Sequence, residues 1–159
     1  ELREAPWDEF DLEARLWTVA ASRKKERREF VFPLPDQAVM LLRELKQYAG
    51  KSPLLFPGRA SMDTPISNMT FNQALARMGY KGRMTGHGFR GVASTLLHEM
   101  GFDHAHIELQ LAHQERNEVS AAYNHATYLQ QRAKMMQHWA DYLDSCTTGR
   151  VLAFQRAAA

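Results

Sequence analysis

The sequence predicts a mainly α-helical protein with a small antiparallel three-stranded β-sheet near its N-terminus, an α+β fold. Two observations carry this expectation. Three short runs rich in aromatic and β-branched residues, "WDEFDL", "RLWTVA" and "EFVFPL", crowd into the first 34 residues. After Ser67, apolar residues recur at helical spacing almost to the end of the chain. With 159 residues, 45% of them hydrophobic and 24% charged, the chain is long enough to close one domain around a single core.

The three apolar runs are read as the three strands, in order. Between the second and third lies "SRKKERR" (residues 22–28), five cations and one anion in seven residues, which should form the connecting hairpin turn. Such a run is either a solvated loop or a hairpin that faces phosphates. A helix follows, with Asp36 as its N-cap, apolar residues at Val39, Leu42 and Leu45, and Gly50 as its stop. "KSPLLFPGRASMDTPIS" holds three of the six prolines and reads as a connecting loop. Next comes a helix over 68–78 that stops at Gly79. Another over 88–100 is closed by Gly101, with Val92, Thr95, Leu96 and Glu99 spaced by three and four. Short helices are expected over 103–111 and 118–124, and a longer one over 129–143 with Met135, Met136, Trp139 and Leu143 at core spacing. The tail "SCTTGRVLAFQRAAA" has weak periodicity, so the domain is taken as 1–144 and residues 145–159 as a partly disordered tail. There is no internal repeat.

Composition narrows the function classes. No apolar run approaches the roughly 18 residues a membrane span needs, and no signal-peptide pattern opens the chain. A single cysteine, Cys146, rules out an internal disulfide and fits a reducing compartment. Net charge is small, 20 − 18 = +2, so the basic run is informative through its clustering rather than through the total. The chain opens on "ELREAPWDEF", without Met and already in helix-like sequence, and reads as a piece that starts inside a larger protein.

The strongest local signal is "TGHGFRGVAST". His87 and Arg90 stand three apart at the opening of a helix, on one face. A helix N-terminus already favours an anion, and a guanidinium fork matches two phosphate oxygens. The same pair also reads as a capping histidine and an arginine reaching solvent. In "LQLAHQERN", His113 closes an apolar stretch and is either a satisfied structural side chain or a catalytic one. His98, His104 and His106 invite a metal reading, but there is no H-E-x-x-H, and one cysteine excludes the common zinc frameworks. No metal or other cofactor is expected. G-x-S-x-G, the P-loop and the dinucleotide fingerprint are all missing from the sequence. Two tyrosines, Tyr123 and Tyr128, lie five residues apart. On a continuous helix they would point roughly 140° away from each other, so both cannot face one ligand.

Taken in order, the basic hairpin, His-x-x-Arg at a helix start, a second histidine and a tyrosine ten residues later resemble the catalytic domain of tyrosine recombinases of the phage or prophage integrase type. The resemblance rests on "RKKERREFVFPL", "LLFPGR", "TGHGFRGVASTLLHEMG", "IELQLAHQERNEVSAAYNHATYL" and "MMQHWADYL", and covers about 1–143. Each motif is weak alone, whereas the ordered set with its spacings is specific. It implies Tyr123 as nucleophile, His87 and Arg90 as the His-x-x-Arg pair, His113 as the second histidine and Lys25 as the hairpin lysine. Lys24 replaces Lys25 if the turn shifts by one residue. Arg23, Lys24, Arg27 and Arg28 are the implied DNA-binding residues of the hairpin. The family's first catalytic arginine belongs to an Arg-x-x-Glu-Leu pattern, and this chain starts at its Glu-Leu. Arg3 is on the wrong side of that pattern, so the 159-residue chain by itself is expected not to complete the reaction.

The implied function is site-specific DNA recombination or integration by transesterification, through a 3′-phosphotyrosyl intermediate, as part of a longer integrase. The resemblance implies double-stranded DNA attachment sites as partner, a tetramer assembled on DNA and accessory DNA-bending proteins. The location it implies is the bacterial cytoplasm, on the nucleoid when DNA is bound. Two other readings stand beside it: a type IB topoisomerase-like relaxing enzyme, and a non-catalytic DNA-binding or assembly module.

Overall fold

The computed structural model of the chain describes residues 1–23, 29–112 and 127–148. It forms two compact units, Glu1–Gly86 and His87–Ala159. The helix expected over 118–124 lies outside the described residues. No helix among the described residues is long and apolar enough to cross a membrane.

The first unit is built on the expected sheet. β1 (Phe10–Asp11), β2 (Leu16–Val19) and β3 (Phe30–Pro33) pair antiparallel in the order β1-β2-β3. β1 is shorter than "WDEFDL" suggests, because Trp7–Glu9 winds into a 3₁₀ turn. Pairing places Phe10 opposite Trp17 and Trp17 opposite Phe32. Their rings stack at centroid distances of 5.4 and 5.1 Å. Since side chains alternate along a strand, Val19 shares this face with Trp17, and it is fully buried. The N-terminal segment lies along the proline-rich loop. Trp7 N donates to Pro53 O at 2.8 Å, and Leu55 N donates to Ala5 O at 2.8 Å. Ala5 and Leu55 are buried as a result.

α1 (Asp36–Ala49) begins one residue earlier than a capping Asp36 requires. Pro35 holds the N-cap position with extended backbone, and Asp36 is the first helical residue. The shift has a physical reason: proline cannot donate a backbone bond, so its place just outside the first turn costs nothing. Asp36 still complements the positive helix end, and it pairs with Arg15 at 2.7 Å. The helix stops at Gly50, whose φ of 60° suits a residue without Cβ. The helix expected over 68–78 is a short α2 (Thr70–Leu75) followed by a π-helical turn over Ala76–Tyr80, with Gly79 at φ 89°.

Among the described residues of the second unit, three helices pack together: α3 (Gly88–Glu99), α4 (His104–Gln110) and α5 (Leu129–Thr148). Its centre is Leu97, Met100, Ile107 and Met135, covered by Leu96, Phe102, Leu111, Met136, Trp139 and Tyr142. Two details differ from the sequence reading. On α3 the buried stripe is Leu97 and Met100, while Val92 is 41% exposed. On α5, Tyr142 joins the core and Leu143 is 45% exposed. Gly101 follows α3 at φ 83°. Asp103 caps α4 by accepting from Ala105 N at 2.7 Å. α5 runs five residues beyond 143, through Ser145 and Cys146 to Thr148.

Among the described residues of this unit, two besides glycine hold left-handed backbone: Ala112 (φ 49°) just after α4 and Tyr128 (φ 44°) just before α5. Such a conformation costs an L-residue roughly 1–2 kcal/mol. Replacing Ala112 with Gly should therefore raise unfolding free energy by about 0.5–1 kcal/mol, strain relief exceeding the added chain entropy; urea titration measures it. Leu97→Ala should cost about 3 kcal/mol by the same assay, because it leaves a cavity at the meeting point of α3 and α4.

Candidate functional site

The start of α3 presents His87 and Arg90 as expected. His87 takes the N-cap position, and its carbonyl accepts from Arg90 N at 3.1 Å. Its imidazole is exposed and makes no capping hydrogen bond, so the side chain is not consumed as a cap. Arg90, half-buried, turns inward: its Nη2 donates to the carbonyl oxygen of Leu111, across from the end of α4. A guanidinium carries five donors in a planar fork, so it has the capacity to hold a carbonyl and an anion together.

That carbonyl is two residues before His113. Its neighbour Gln110 is gripped as well. Arg132, in the first turn of α5, donates from Nε to Gln110 Oε1 at 3.0 Å and from Nη1 to Thr127 O at 3.1 Å. Arg132 is 2% exposed and is the largest of the fully buried side chains. Burial pushes its pKa down to about 10, which leaves it charged at neutral pH. A depressed pKa on a base means that the unfolded chain binds this proton more tightly. Desolvation therefore opposes folding at neutral pH, relieved only above pH ~10, and the hydrogen bonds must offset it. No buried side-chain nitrogen or oxygen among the described residues lacks a hydrogen-bond partner.

Sequence reasoning missed Arg132 and Gln110. One signal was available: Arg132 stands three residues before Met135, in register with the buried stripe of its helix.

Tyr128 is half-buried at the N-cap of α5, where its carbonyl accepts from Arg132 N at 2.8 Å. Its ring packs on His106 at 4.7 Å between centroids. The other two histidines raised by the metal reading face one another. His98 Nε2 lies 3.0 Å from His104 Nδ1, while His98 Nδ1 lies 2.7 Å from Ser94 O. Only an N–H satisfies that carbonyl, so in the neutral pair His98 Nε2 accepts and His104 Nδ1 donates. Among the described residues no three histidine, cysteine or carboxylate side chains gather where they could hold a metal ion.

In the first unit, Arg23 ends a 3₁₀ turn over Ala21–Arg23 that follows β2. Its Nη1 donates to Glu9 Oε2, and its Nη2 donates to Glu1 O at 2.8 Å. Trp17 Nε1 donates to the same Glu9 oxygen at 3.0 Å. The Glu9 carboxylate is only 8% exposed, so a phosphate approaching Arg23 must compete with a well-sheltered partner. The network fixes the entry to the basic run at its first cation. Arg3 is likewise occupied, donating to Ile66 O at 2.8 Å and pairing with Glu4. Tyr123, His113, Lys25, Lys24, Arg27 and Arg28 lie outside the described residues.

Residues 1–130 match the Phage integrase family. The chain is 41% identical over 96% of its length to prophage integrase IntA of Escherichia coli K12, of which the match covers 37%. It is 46% identical over 91% of its length to the integrase of enterobacteria phage P4, covering 36% of that protein. Prophage integrase IntZ of Escherichia coli K12 is 44% identical over 94% of the chain and 37% of its own length. The chain thus spans little more than a third of the curated relatives it matches. No solved structure matches it significantly. With a family match reaching from the first residue through Tyr128 to the start of α5, the chain belongs to the phage integrase family, and the resemblance to a tyrosine recombinase domain is borne out.

Proposed function

We propose that this chain is the strand-cleaving and strand-joining domain of an integrase that recombines DNA at specific sites through a 3′-phosphotyrosyl intermediate. The observation that carries the reading is the placement of Arg90. Arg90 follows His87 by three residues in the first turn of α3, and its guanidinium holds the backbone two residues before His113. The relatives' names, integrases of phages and prophages, support the same reading.

In this mechanism the phenolic oxygen of Tyr123 attacks the scissile phosphorus. The new Tyr–O–P bond forms as the P–O5′ bond breaks, so the phosphodiester energy is retained and no nucleotide cofactor is consumed. A phenol with an ordinary pKa of about 10 needs its proton removed, and His87 is the partner for it. Lys25, or Lys24 if the turn shifts, delivers a proton to the leaving 5′-oxygen. Arg90 and His113 stabilise charge on the non-bridging oxygens. A 5′-hydroxyl from the partner strand then reverses the step and restores the tyrosine. Arg23, Lys24, Arg27 and Arg28 hold the duplex phosphates. The domain works as a tetramer on two duplexes, in the bacterial cytoplasm, with accessory DNA-bending proteins completing the assembly.

Trapping on a nicked suicide duplex tests the reading, using the chain carried upstream over the length its relatives span. A covalent adduct should form in chelator. Tyr123→Phe should abolish it and Tyr128→Phe should leave it. Adduct from Tyr123→Phe but not Tyr128→Phe would move the nucleophile, whereas a strict need for divalent metal would refute the mechanism. A protein that binds DNA but yields no adduct in any form would leave only the non-catalytic module. Because binding rests on phosphate contacts, duplex affinity should fall roughly a hundredfold between about 50 and 200 mM salt, the slope for about four neutralised phosphates; fluorescence anisotropy measures it.

A further inference from the structure

Arg132 has no part in the chemistry just described, yet it is a charged group kept out of water. Burying it there is costly unless its bonds do something an apolar residue would not. Its two described acceptors answer this. Gln110 is 22 residues away in sequence and Thr127 only five. Gln110 lies three residues before His113, and Thr127 four residues after Tyr123. One planar guanidinium therefore ties together the two ends of the stretch that carries both groups.

We propose that Arg132 is a positioning residue for the strand-cleavage step: by holding Gln110 and Thr127 in a single fork, it fixes the two points from which His113 and Tyr123 are presented. The inference rests on the assignment of Tyr123 as nucleophile.

Three features support it. The helix supplies a rigid mount, since Arg132 and the fully buried Met135 stand one turn apart on α5. The neighbouring peptide is held as well, because Arg90 binds the carbonyl of Leu111 while Arg132 binds the side chain of Gln110. Two arginines from different helices thus clasp consecutive residues. Finally, the backbone at both ends, Ala112 and Tyr128, is in the left-handed region, a conformation that persists in non-glycine residues only where surrounding contacts over-determine it. An Arg-to-Lys exchange preserves charge but not the fork: an ammonium is a point donor on a flexible stem and cannot span a side-chain amide and a backbone carbonyl in one plane.

The test separates presentation from folding and from binding. Arg132→Lys and Gln110→Ala are made in the chain extended as above and assayed at a temperature where circular dichroism shows each variant folded. Under single-turnover conditions with saturating DNA, Arg132→Lys should lower the rate of adduct formation at least about tenfold, with DNA affinity within about twofold of the parent, the pattern of a misplaced reacting group. Gln110→Ala, which removes one of the described acceptors, should give a smaller fall. An Arg132→Lys protein that cleaves at the parental rate overturns the proposal, as does a loss of rate matched by an equal loss of DNA affinity. A second measurement is independent of catalysis. In the 159-residue chain, Arg132→Lys should speed hydrogen exchange at the amides of Leu111, Ala112 and Arg132 at least about tenfold, with Leu97 and Met100 unchanged. Unchanged exchange at the first three overturns the tie whatever the activity. If exchange changes as expected but the unsubstituted protein forms no adduct, the nucleophile assignment has failed and the tie has not.

Discussion

A guanidinium enclosed by protein must find acceptors for its donors, and this requirement organises the second unit. Arg132 is buried at the start of α5, and the unit is arranged so that a side-chain amide from the end of α4 and a carbonyl from the approach to α5 converge on it. The hydrophobic centre around Leu97, Met100, Ile107 and Met135 is non-directional and would tolerate small sliding of one helix on another. The hydrogen bonds of Arg132 and Arg90 are directional and would not. Apolar burial thus supplies cohesion, and the two arginines supply register.

The first unit reaches the same end by a different route. Its sheet is held by a cross-strand aromatic stack from Phe10 through Trp17 to Phe32. The indole of Trp17, flanked by these rings, uses its N–H to hold Glu9, and Glu9 in turn holds Arg23. A sheltered carboxylate between an indole and a guanidinium is a fixed anchor at the entrance to the basic run. In both units a hydrogen-bonded arginine holds the described residues that border a segment proposed to carry chemistry.

The sheet and its strand order were legible because alternating aromatic and β-branched residues leave little freedom of interpretation over so short a span. Helix ends were legible where glycine marks them, as at Gly50 and Gly101. The faces were less so. On α3, Val92, Thr95, Leu96 and Glu99 form one helical stripe, and Leu97 and Met100 form another beside it. Periodicity identifies stripes, but the packing partner selects between them, and that partner is distant in sequence. Leu143 lost its expected place to Tyr142 for the same reason. The π turn at Ala76–Tyr80 inserts one residue per turn without any compositional mark. Arg132 was overlooked because a charged residue is taken as solvent-facing unless something contradicts it. At the site, His87 and Arg90 were recognisable from three-residue spacing and a helix start, whereas the link from Arg90 to Leu111 is tertiary. The family itself was legible because several weak motifs occur in one order with consistent spacings, which chance does not readily reproduce.

The three tryptophans are divided between the units: Trp7 and Trp17 in the first, Trp139 in the second. Trp17 lies between Phe10 and Phe32, and Trp139 stacks on Tyr142 at 5.7 Å. Each unit consequently carries an intrinsic fluorophore whose surroundings belong to that unit's own packing. Emission from a Trp139→Phe protein reports the sheet, and emission from a Trp7→Phe, Trp17→Phe protein reports the helices. Whether the two units melt as one cooperative body or in succession is thereby written into the optical properties of the chain.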